Sequence, residues 1–279
     1  MRALTGIAIL MLFFKPAYSQ IQNVYTIYAI EYAKNPRSVA VSDIALGAKS
    51  TDSVTFSYYI WFLNGDNGRK VLVDVGCVRD STNPLAYLRE YQRPDSALQR
   101  INVNADDVTD VIITHPHADH IGGLQLFRNA RIWMQKNDFF YFVGGAWQSD
   151  ADHKGLDKHD VLKIIQANLE GRLQLVAGDS LEIIPGIRVF IGSKHTDESQ
   201  HVLVSSKNER VLLASDDSWF YYNLHHLLSV PSTFDTSAYI TQLRRMKTLV
   251  ADTNFIIPGH DPSVLLNFKQ VSRGVVRIP

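Results

Sequence analysis

The sequence predicts an α+β protein in which helices flank two sheets. Three observations support this class. Short apolar segments with strand character recur in both halves of the chain, and segments with helical spacing lie between them. A histidine-rich motif, Thr114 to Gly123, directly follows the apolar run Val111 to Ile113. No short repeat or linker divides the sequence, so we expect one domain over residues 20–279.

Composition is that of an ordinary globular protein. The 279 residues are 46% hydrophobic, which is ample for a packed core. Lys plus Arg and Asp plus Glu number 28 each, so no basic field attracts nucleic acid or anionic lipid. Cys77 is the single cysteine and cannot form an internal disulfide. We therefore expect a small-molecule substrate and no nucleic-acid partner.

The N-terminus has the pattern of a secretory signal. Arg2 precedes an apolar run from Ala3 to Phe14, and small residues, Ala17 and Ser19, precede Gln20. The run is too short to span a bilayer comfortably, although an uncleaved signal would be an anchor. We expect a signal peptide over 1–19, export to the periplasm or the medium, and no stable membrane insertion.

The first half of the chain is predicted to build one sheet. Turn residues Asn64 to Gly68 join two apolar segments into a hairpin, and Asp95 or Ser96 is a candidate N-cap. The predicted strands are 24–31, 56–63, 70–75, 107–113 and 131–134, and the predicted helices are 83–91, 95–101 and one beginning near Lys136.

The second half is again mostly sheet. Residues 147–160 form a predicted polar loop in which His153 and His159 face solvent. We assign His201 to structure because it lies in a predicted strand, and His225 and His226 because their spacing is not that of ligands. Helices are predicted over 161–169 and 236–250, and strands over 173–176, 180–184, 188–191, 200–204, 210–214 and 255–257.

The histidine-rich motif has the composition of a metal site. His115, His117, Asp119 and His120 fall within a few residues at the end of a predicted strand, and Gly122-Gly123 lets the backbone turn tightly beneath them. Imidazole and carboxylate together suit zinc or a neighbouring first-row metal. The alternative is a polar loop whose histidines face solvent, which this dense spacing disfavours.

Three further residues occupy equivalent positions. His195, Asp216 and His260 each come just after an apolar strand, as His115 does. Residues at strand ends project from a rigid backbone into a cleft, so we expect them to complete the site. Asp74, at another strand end, is a candidate to orient a ligand or to end its strand with a local hydrogen bond.

At these residues the sequence resembles the metallo-β-lactamase-fold hydrolase superfamily. The resemblance runs from Asp74-Val75-Gly76 through His-x-His-x-Asp-His-x-Gly-Gly to Pro258-Gly259-His260. It implies a four-layer αβ/βα sandwich with two mixed sheets flanked by helices and the metals at one edge. It further implies two Zn²⁺ ions, or other first-row divalent metals, one held by His115, His117 and His195, the other by Asp119, His120 and His260, with Asp216 bridging.

Within the superfamily, the sequence is most similar to the N-acyl homoserine lactonase group. It departs from that group after His195, where Thr196 to Gln200 lacks a second histidine. It also has Trp219 where the lactonases have a tyrosine that assists at the substrate carbonyl. Trp219, Tyr221 and Tyr222 are therefore our candidates for substrate contact. The best-known zinc β-lactamases have cysteine in place of Asp216, which disfavours a β-lactam substrate.

The implied function is a dinuclear zinc hydrolase that opens lactone or ester bonds, such as those of N-acyl homoserine lactones, by attack of a metal-bridging hydroxide. Asp119 and Asp216 are the expected catalytic carboxylates, Asp119 also passing a proton to the leaving oxygen. The alternatives are hydrolysis of phosphoesters, organophosphates, thioesters or β-lactams on the same metals, and a non-catalytic metal-binding protein. Acyl-chain preference and oligomeric state stay open.

Overall fold

The computed structural model of the protein describes residues 23–79, 85–148 and 155–279. The predicted signal peptide and His153 lie outside the described residues. The strands are β1 (Tyr25–Lys34), β2 (Val39–Ala40), β3 (Ser53–Val54), β4 (Ser57–Gly65), β5 (Lys70–Val73), β6 (Asp110–Ile112), β7 (Arg131–Gln135), β8 (Leu173–Val176), β9 (Leu181–Ile184), β10 (Ile187–Ile191), β11 (Gln200–Ser205), β12 (Arg210–Ser215), β13 (Ile256–Pro258), β14 (Lys269–Ser272) and β15 (Val275–Ile278).

The α-helices are short and lie between the strands. They are α1 (Pro94–Leu98), α2 (Ala118–Ile121), α3 (Lys136–Val143), α4 (Lys158–Leu169), α5 (Tyr221–His226), α6 (Thr236–Leu249) and α7 (Val264–Asn267). Over the described ranges, no helix has both the length and the apolar character that crossing a membrane requires.

Two mixed sheets make up most of the domain. The larger has eight strands in the order β14-β15-β1-β4-β5-β6-β7-β8, and the smaller has five in the order β13-β12-β11-β10-β9. In the larger sheet β5, β6, β7 and β8 run parallel and the other pairs are antiparallel. In the smaller sheet only β12 and β13 pair in parallel. The prediction of two mixed sheets is confirmed.

Strand β4 shows why the central segments read as continuous apolar runs. Tyr59, Trp61 and Leu63 point to one face of the sheet, into a core shared with the smaller sheet. Ile60 and Phe62 point to the opposite face, against helices. Because successive side chains alternate across a strand, a strand buried on both faces must be apolar at nearly every position.

Three apolar clusters separate four layers. The central cluster lies between the sheets, where Ile27 and Val71 meet Val189 and Leu213. A second cluster packs Leu98 of α1, Phe142 of α3 and Ile164 of α4 on the outer face of the larger sheet. A third packs Tyr239, Leu243 and Met246 of α6 on the outer face of the smaller sheet. The arrangement is the predicted αβ/βα sandwich.

The helix predicted over 83–91 is wrong for its described residues, 85–91. After a turn the chain runs beside the end of β1, where Lys34 and Arg89 exchange two backbone hydrogen bonds of 2.8 Å. Leu88 is buried in the helix-side core. Pairing with β1 satisfies the backbone groups that a helix would otherwise have satisfied internally.

The next predicted helix begins earlier and is shorter than expected. It starts at Pro94, a residue suited to the first helical position, so neither Asp95 nor Ser96 is the N-cap. Residues 99–101 continue as a 3-10 turn that ends at Asn102 in the left-handed conformation, φ 57°. Strands β14 and β15 and helix α5 were not predicted, because each is too short to show a clear period.

Candidate metal centre

All seven predicted ligands meet at one edge of the sandwich. His115 and His117 lie in the turn after β6, and helix α2 carries Asp119 and His120. The other three follow β10, β12 and β13, as their strand-end positions predicted. Their ligand atoms form two groups, His115, His117, His195 and Asp216 in one and Asp119, His120 and His260 in the other.

The first group brings three imidazole nitrogens to a point. His117 Nδ1 lies 2.9 Å from His115 Nε2 and 3.0 Å from His195 Nε2. Asp216 Oδ2 lies 3.1 Å from His195 Nε2 and 3.7 Å from His115 Nε2. A tetrahedral ion with bonds of about 2.0–2.1 Å requires donor atoms at about this spacing.

The second group shares Asp216 through the other carboxylate oxygen. Asp216 Oδ1 lies 3.2 Å from His120 Nε2 and 3.0 Å from His260 Nε2. Asp119 Oδ2 lies 3.2 Å from His120 Nε2 and 3.7 Å from His260 Nε2. One oxygen of Asp216 thus faces each group, which is the geometry of a bridging carboxylate.

Hydrogen bonds from the opposite ring nitrogens orient three of the histidines. His120 Nδ1 donates to Asp74 Oδ2 at 2.8 Å, His195 Nδ1 to the Ser232 carbonyl at 2.6 Å, and His260 Nδ1 to the Ser57 carbonyl at 3.0 Å. Because Nδ1 carries a proton in each, Nε2 is the nitrogen that faces the centre and, once unprotonated, offers its lone pair to a metal.

The ligand atoms of the two groups fit a pair of divalent cations. His120 Nε2 and Asp216 Oδ1 are buried and have no hydrogen-bond partner among the described residues. His117 Nδ1 lies within 3.0 Å of both His115 Nε2 and His195 Nε2, and one proton on it can serve only one of these nitrogens. Buried polar atoms left unpaired cost free energy, so this cluster is arranged for ions rather than for internal hydrogen bonding.

The protonation preferences of the ligands divide between the groups. Burial, together with the neighbouring imidazoles, holds the pKa of His115 well below its usual value, and the same causes lower the pKa of His117 to about 3. Burial also lowers the pKa of His120, but Asp119, Asp216 and Asp74 outweigh it and raise that pKa well above 6.5. His115 and His117 are therefore ready to bind metal at neutral pH, whereas His120 must release a proton.

Asp74 is a hub beneath the second group. Its carboxylate accepts hydrogen bonds from the Thr114 N–H at 2.8 Å, the Thr114 hydroxyl at 2.8 Å, the Ser215 hydroxyl at 3.0 Å and His120 Nδ1 at 2.8 Å. Asp74 and Ser215 have positive φ, 56° and 47°, which is strained for residues with a side chain. Of its two predicted roles, the structure gives Asp74 the orienting one.

A cavity of about 380 Å³ opens beside the first group. His117, His195 and Trp219 form its inner wall. The remaining wall is mixed, with apolar surface from Tyr141, Leu156, Pro231 and Phe234 and polar groups from Asp43, Thr196, Ser232 and Thr233. An apolar pocket with a few polar groups beside reactive residues is the usual form of a small-molecule site.

The three aromatic candidates for substrate contact separate. Trp219 lies in the cavity wall, and its indole N–H donates to Asp216 Oδ2 at 2.7 Å. Tyr221 instead packs beside two apolar clusters and stacks on His225, and Tyr222 lies against His226. Helix α5 begins at Tyr221, and neither Tyr221 nor Tyr222 lines the cavity in which Trp219 lies.

Replacing Trp219 by phenylalanine is expected to reduce kcat/KM or metal affinity by about 10–100-fold, because the donor that holds Asp216 is lost. Steady-state kinetics and metal titration would measure the change. Trp133→Phe is the matched control, since its indole donates to Asp110, at the opposite end of β6 from the ligands. Equal effects of the two replacements would contradict a specific role for Trp219.

Several residues of the site were missed by sequence reasoning. Asp138 and Asp217 are buried carboxylates that accept hydrogen bonds from the segment carrying His195. Gly155 has φ +83°, and a Cβ there would lie 2.6 Å from Cδ2 of His117. The glycine residue in the predicted loop was visible in the sequence, but its approach to His117 is a contact between distant segments.

The buried carboxylate of Asp160 and the partly buried Lys163 form an ion pair next to the Gly122-Gly123 turn of the histidine-rich motif. Lys163 Nζ donates to Asp160 Oδ1 at 2.6 Å and to the Gly122 carbonyl at 3.0 Å. Burial raises the pKa of Asp160 to about 6 despite the adjacent ammonium. An unfolded chain titrates aspartate near 3.9. The folded state therefore holds this proton more tightly, and its contribution to stability is lost as pH rises through about 6.

The Asp160→Asn protein is expected to lack this pH dependence. Between about pH 4 and pH 7 the wild-type protein should lose about 2–3 kcal/mol of unfolding free energy relative to the variant. Urea unfolding of both metal-free proteins across this range measures the difference. A difference that stays constant with pH would show that Asp160 ionises normally.

The fold and the ligand set define a class of protein. The family model of the metallo-beta-lactamase superfamily matches residues 50–260, three quarters of the chain and all seven ligands. The chain belongs to this superfamily.

Relatives similar to this chain include N-acyl homoserine lactonases. An N-acyl homoserine lactonase from a Bacillus species is 26% identical over 207 residues, covering 68% of this chain and 76% of the relative. An N-acyl homoserine lactonase, AttM, from Rhizobium radiobacter is 27% identical over 184 residues, covering 62% of this chain and 65% of the relative.

Two structures share the fold. An N-acyl homoserine lactone hydrolase with N-hexanoyl-L-homoserine at its catalytic metal centre superposes with TM-score 0.69 at 19% identity, covering 89% of this chain and 98% of its own. The dizinc lactonase AidC superposes with TM-score 0.65 at 16% identity, covering 92% and 98%.

Proposed function

We propose that the protein is a dinuclear zinc hydrolase that opens lactone rings of the N-acyl homoserine lactone class, a quorum-quenching activity. One observation carries the proposal: the two oxygens of Asp216 face two separate ligand groups, at 3.1 Å from His195 Nε2 and 3.0 Å from His260 Nε2. A paired site of histidine and carboxylate, with the shared carboxylate buried, suits two divalent metals of the first row.

The metals would supply the reactive chemistry. When bound, they lower the pKa of water toward about 7 and polarise a carbonyl oxygen. The chain orients the ligands: hydrogen bonds from Nδ1 hold the rings of His120, His195 and His260 with Nε2 toward the centre. Ligands held in place before substrate arrives need no rearrangement during the reaction.

Asp119 is suited to move a proton. It is the more exposed of the two carboxylate ligands, with 16% of its side chain accessible against 4% for Asp216. A carboxylate that touches both the centre and solvent can hold a proton and deliver it to the leaving oxygen. Asp216, buried and bridging, keeps the two groups at a fixed separation.

The cavity supports an acylated substrate. Leu156, Pro231 and Phe234 form an apolar wall for a hydrocarbon chain, while Asp43, Thr196, Ser232 and Thr233 add polar groups to the lining. The cavity opens onto His117 and His195, so a carbonyl at its inner end would lie against the first ligand group. The relatives' activity on N-acyl homoserine lactones agrees with this chemistry.

The test is acid release at constant pH from N-acyl homoserine lactones of several chain lengths. Zinc-loaded protein should turn them over, a chelator should abolish turnover, and added Zn²⁺ should restore it. Metal analysis of the same samples should find two ions per chain. Two bound ions without turnover of any lactone would overturn the substrate assignment while leaving the metal centre intact.

A second substrate class is favoured by one residue. The indole N–H of Trp219 already donates to Asp216 Oδ2. Trp219 therefore does not offer a substrate carbonyl the free donor that the tyrosine hydroxyl of the lactonases would provide. Phosphoesters and organophosphates, whose oxygens bind metal directly, depend less on such a group. Turnover of these substrates in place of lactones would establish this alternative.

We also propose that the protein is exported after removal of residues 1–19, on the pattern of Arg2, the apolar run and Ala17-Tyr18-Ser19. The mass of the protein recovered from periplasmic and extracellular fractions tests this. A mature chain that begins near Gln20 is the expected result, and full-length protein confined to the cytoplasm would contradict it.

A further inference from the structure

His195 lies in a segment that has no regular structure of its own. The segment from Gly192 to Ser199, here the His195 loop, joins β10 to β11. Its Lys194 adopts a left-handed conformation, φ 59°. Nevertheless His195 Nε2 must stay near 3 Å from His117 Nδ1 for the first group to form. Something outside the loop must therefore fix it.

Asp217 holds both ends of the loop. Its Oδ1 accepts hydrogen bonds from the Ser193 N–H at 3.0 Å, the Ser193 hydroxyl at 2.7 Å and the Ser199 hydroxyl at 2.8 Å. His201 Nδ1 donates to the other oxygen at 2.9 Å, and Phe190 stacks on that imidazole. A Cβ at Gly192 would collide with this carboxylate, so the backbone packs directly against it.

Asp138 holds the middle of the loop from the other side. Its Oδ2 accepts from the Thr196 hydroxyl at 2.7 Å and its Oδ1 from the Glu198 N–H at 2.9 Å. Both carboxylates are only 1% exposed. Each carboxyl group accepts at least two hydrogen bonds from the loop in the protein interior, where hydrogen bonds are stronger than in water, so each aspartate restrains the loop.

The two aspartates come from different halves of the sandwich. Asp138 lies in α3, directly after β7 of the larger sheet. Asp217 follows β12 of the smaller sheet and is adjacent to the bridging Asp216. The His195 loop is thus tied to both sheets, and through Asp217 it is tied to the neighbour of another ligand. A shift of either sheet would move His195 relative to His115 and His117.

We propose that Asp138 and Asp217 are positioning residues for His195 and set the metal affinity of the group formed by His115, His117 and His195. The proposal rests on the proposed function only in taking that group to hold a metal. Neither aspartate is a ligand, and neither lines the cavity, although Thr196, which donates to Asp138, does. Their effect on the centre passes through Ser193, Thr196, Glu198 and Ser199.

The test uses shape-preserving replacements. Asp138→Asn and Asp217→Asn keep the side-chain size but remove the charge, and an amide nitrogen takes the place of one accepting oxygen. The matched control is Asp110→Asn, since Asp110 is also 1% exposed and accepts from Arg69, Thr109 and Trp133 at 2.7, 2.8 and 3.0 Å. It begins β6, whereas the ligands follow the end of that strand.

Competition titration with a chromophoric chelator measures each metal affinity, and visible absorption of the Co²⁺-substituted protein reports ligand geometry. We expect each of the two aspartate variants to lower the affinity for one of the two metals by about 10–100-fold and to change the cobalt spectrum. Asp110→Asn should lower the melting temperature and leave both affinities and the spectrum unchanged.

A second pair of variants keeps the test open if an aspartate variant fails to fold. Thr196→Val removes the donor to Asp138 at constant shape, and Thr196→Ser retains it. Weakened binding in the first and wild-type binding in the second would support the proposal. Suppose that the parent protein binds two metals and that the asparagine variants and Thr196→Val all show wild-type affinities and spectra. That result would overturn the positioning role of the aspartates and leave the proposed function standing. A parent protein that binds no metal would overturn the proposed function too.

Discussion

Replacement of Asp216 by alanine is expected to lower kcat/KM for lactone hydrolysis by about 1,000-fold or more. Both oxygens of this carboxylate are committed, Oδ2 to the His195 side and Oδ1 to the His260 side. Their loss removes a metal-binding oxygen from each group and, among the described residues, the carboxylate that spans the two groups. The first group would keep three imidazoles and the second would keep Asp119 with two imidazoles, but nothing would bridge them, so bound metal should fall below two ions per chain.

Metal analysis and kinetics on the same Asp216→Ala preparation separate the two effects. Asp216→Asn is the informative companion, because its amide oxygen serves one group and its nitrogen cannot serve the other. We expect it to retain one metal and little activity. Turnover at the wild-type rate in Asp216→Ala would refute a bridging role and with it the dinuclear mechanism.

Replacement of Asp74 by alanine is expected to have the largest effect on folding. The Thr114 N–H, the Thr114 and Ser215 hydroxyls and His120 Nδ1 all donate to this buried carboxylate. Removing the acceptor leaves the Thr114 N–H unpaired and takes the carboxylate away from His120, while the two hydroxyls keep only each other and the adjacent ring nitrogens, at a cost of about 3–5 kcal/mol of unfolding free energy. The metal on the His120 side should also be lost.

Urea unfolding of metal-free protein isolates the folding part of this effect, because metal binding then makes no contribution. Asp74→Asn retains an acceptor for Thr114 and should fall between the wild type and Asp74→Ala. A cost below about 1 kcal/mol for alanine would mean that water replaces the carboxylate at this position.

The ligand set could be predicted from the sequence because its signals are local. Four ligands fall between His115 and His120, and His195, Asp216 and His260 each follow an apolar run. The four layers were implied by the superfamily resemblance, and the strand-rich halves of the sequence agree with them. A predicted helix over 83–91 failed because pairing of Arg89 with Lys34 depends on a segment far away in sequence.

Residues that act through distant contacts could not be predicted. His201 was assigned to structure from its place in a strand, yet it donates to Asp217, which holds the loop of a ligand. Asp138 and Asp217 are ordinary aspartates in sequence, and only the packing of α3 and β12 around the His195 loop reveals what they bind. Tyr221 and Tyr222 are candidates only because they are close to Trp219 in sequence. Helix α5 begins at Tyr221, and neither tyrosine lines the cavity in which Trp219 lies.

Apart from the ligands His117 and His195, the apolar wall of the cavity comes from parts of the chain that hold none of the ligands. Tyr141, Leu156, Pro231 and Phe234 belong to connecting segments and a helix end, whereas the ligands follow or lie just beyond the ends of strands. Connections tolerate substitution and insertion better than strands do. Selection can therefore exchange the substrate of this protein by altering its connections, while an unchanged pair of sheets preserves the reaction.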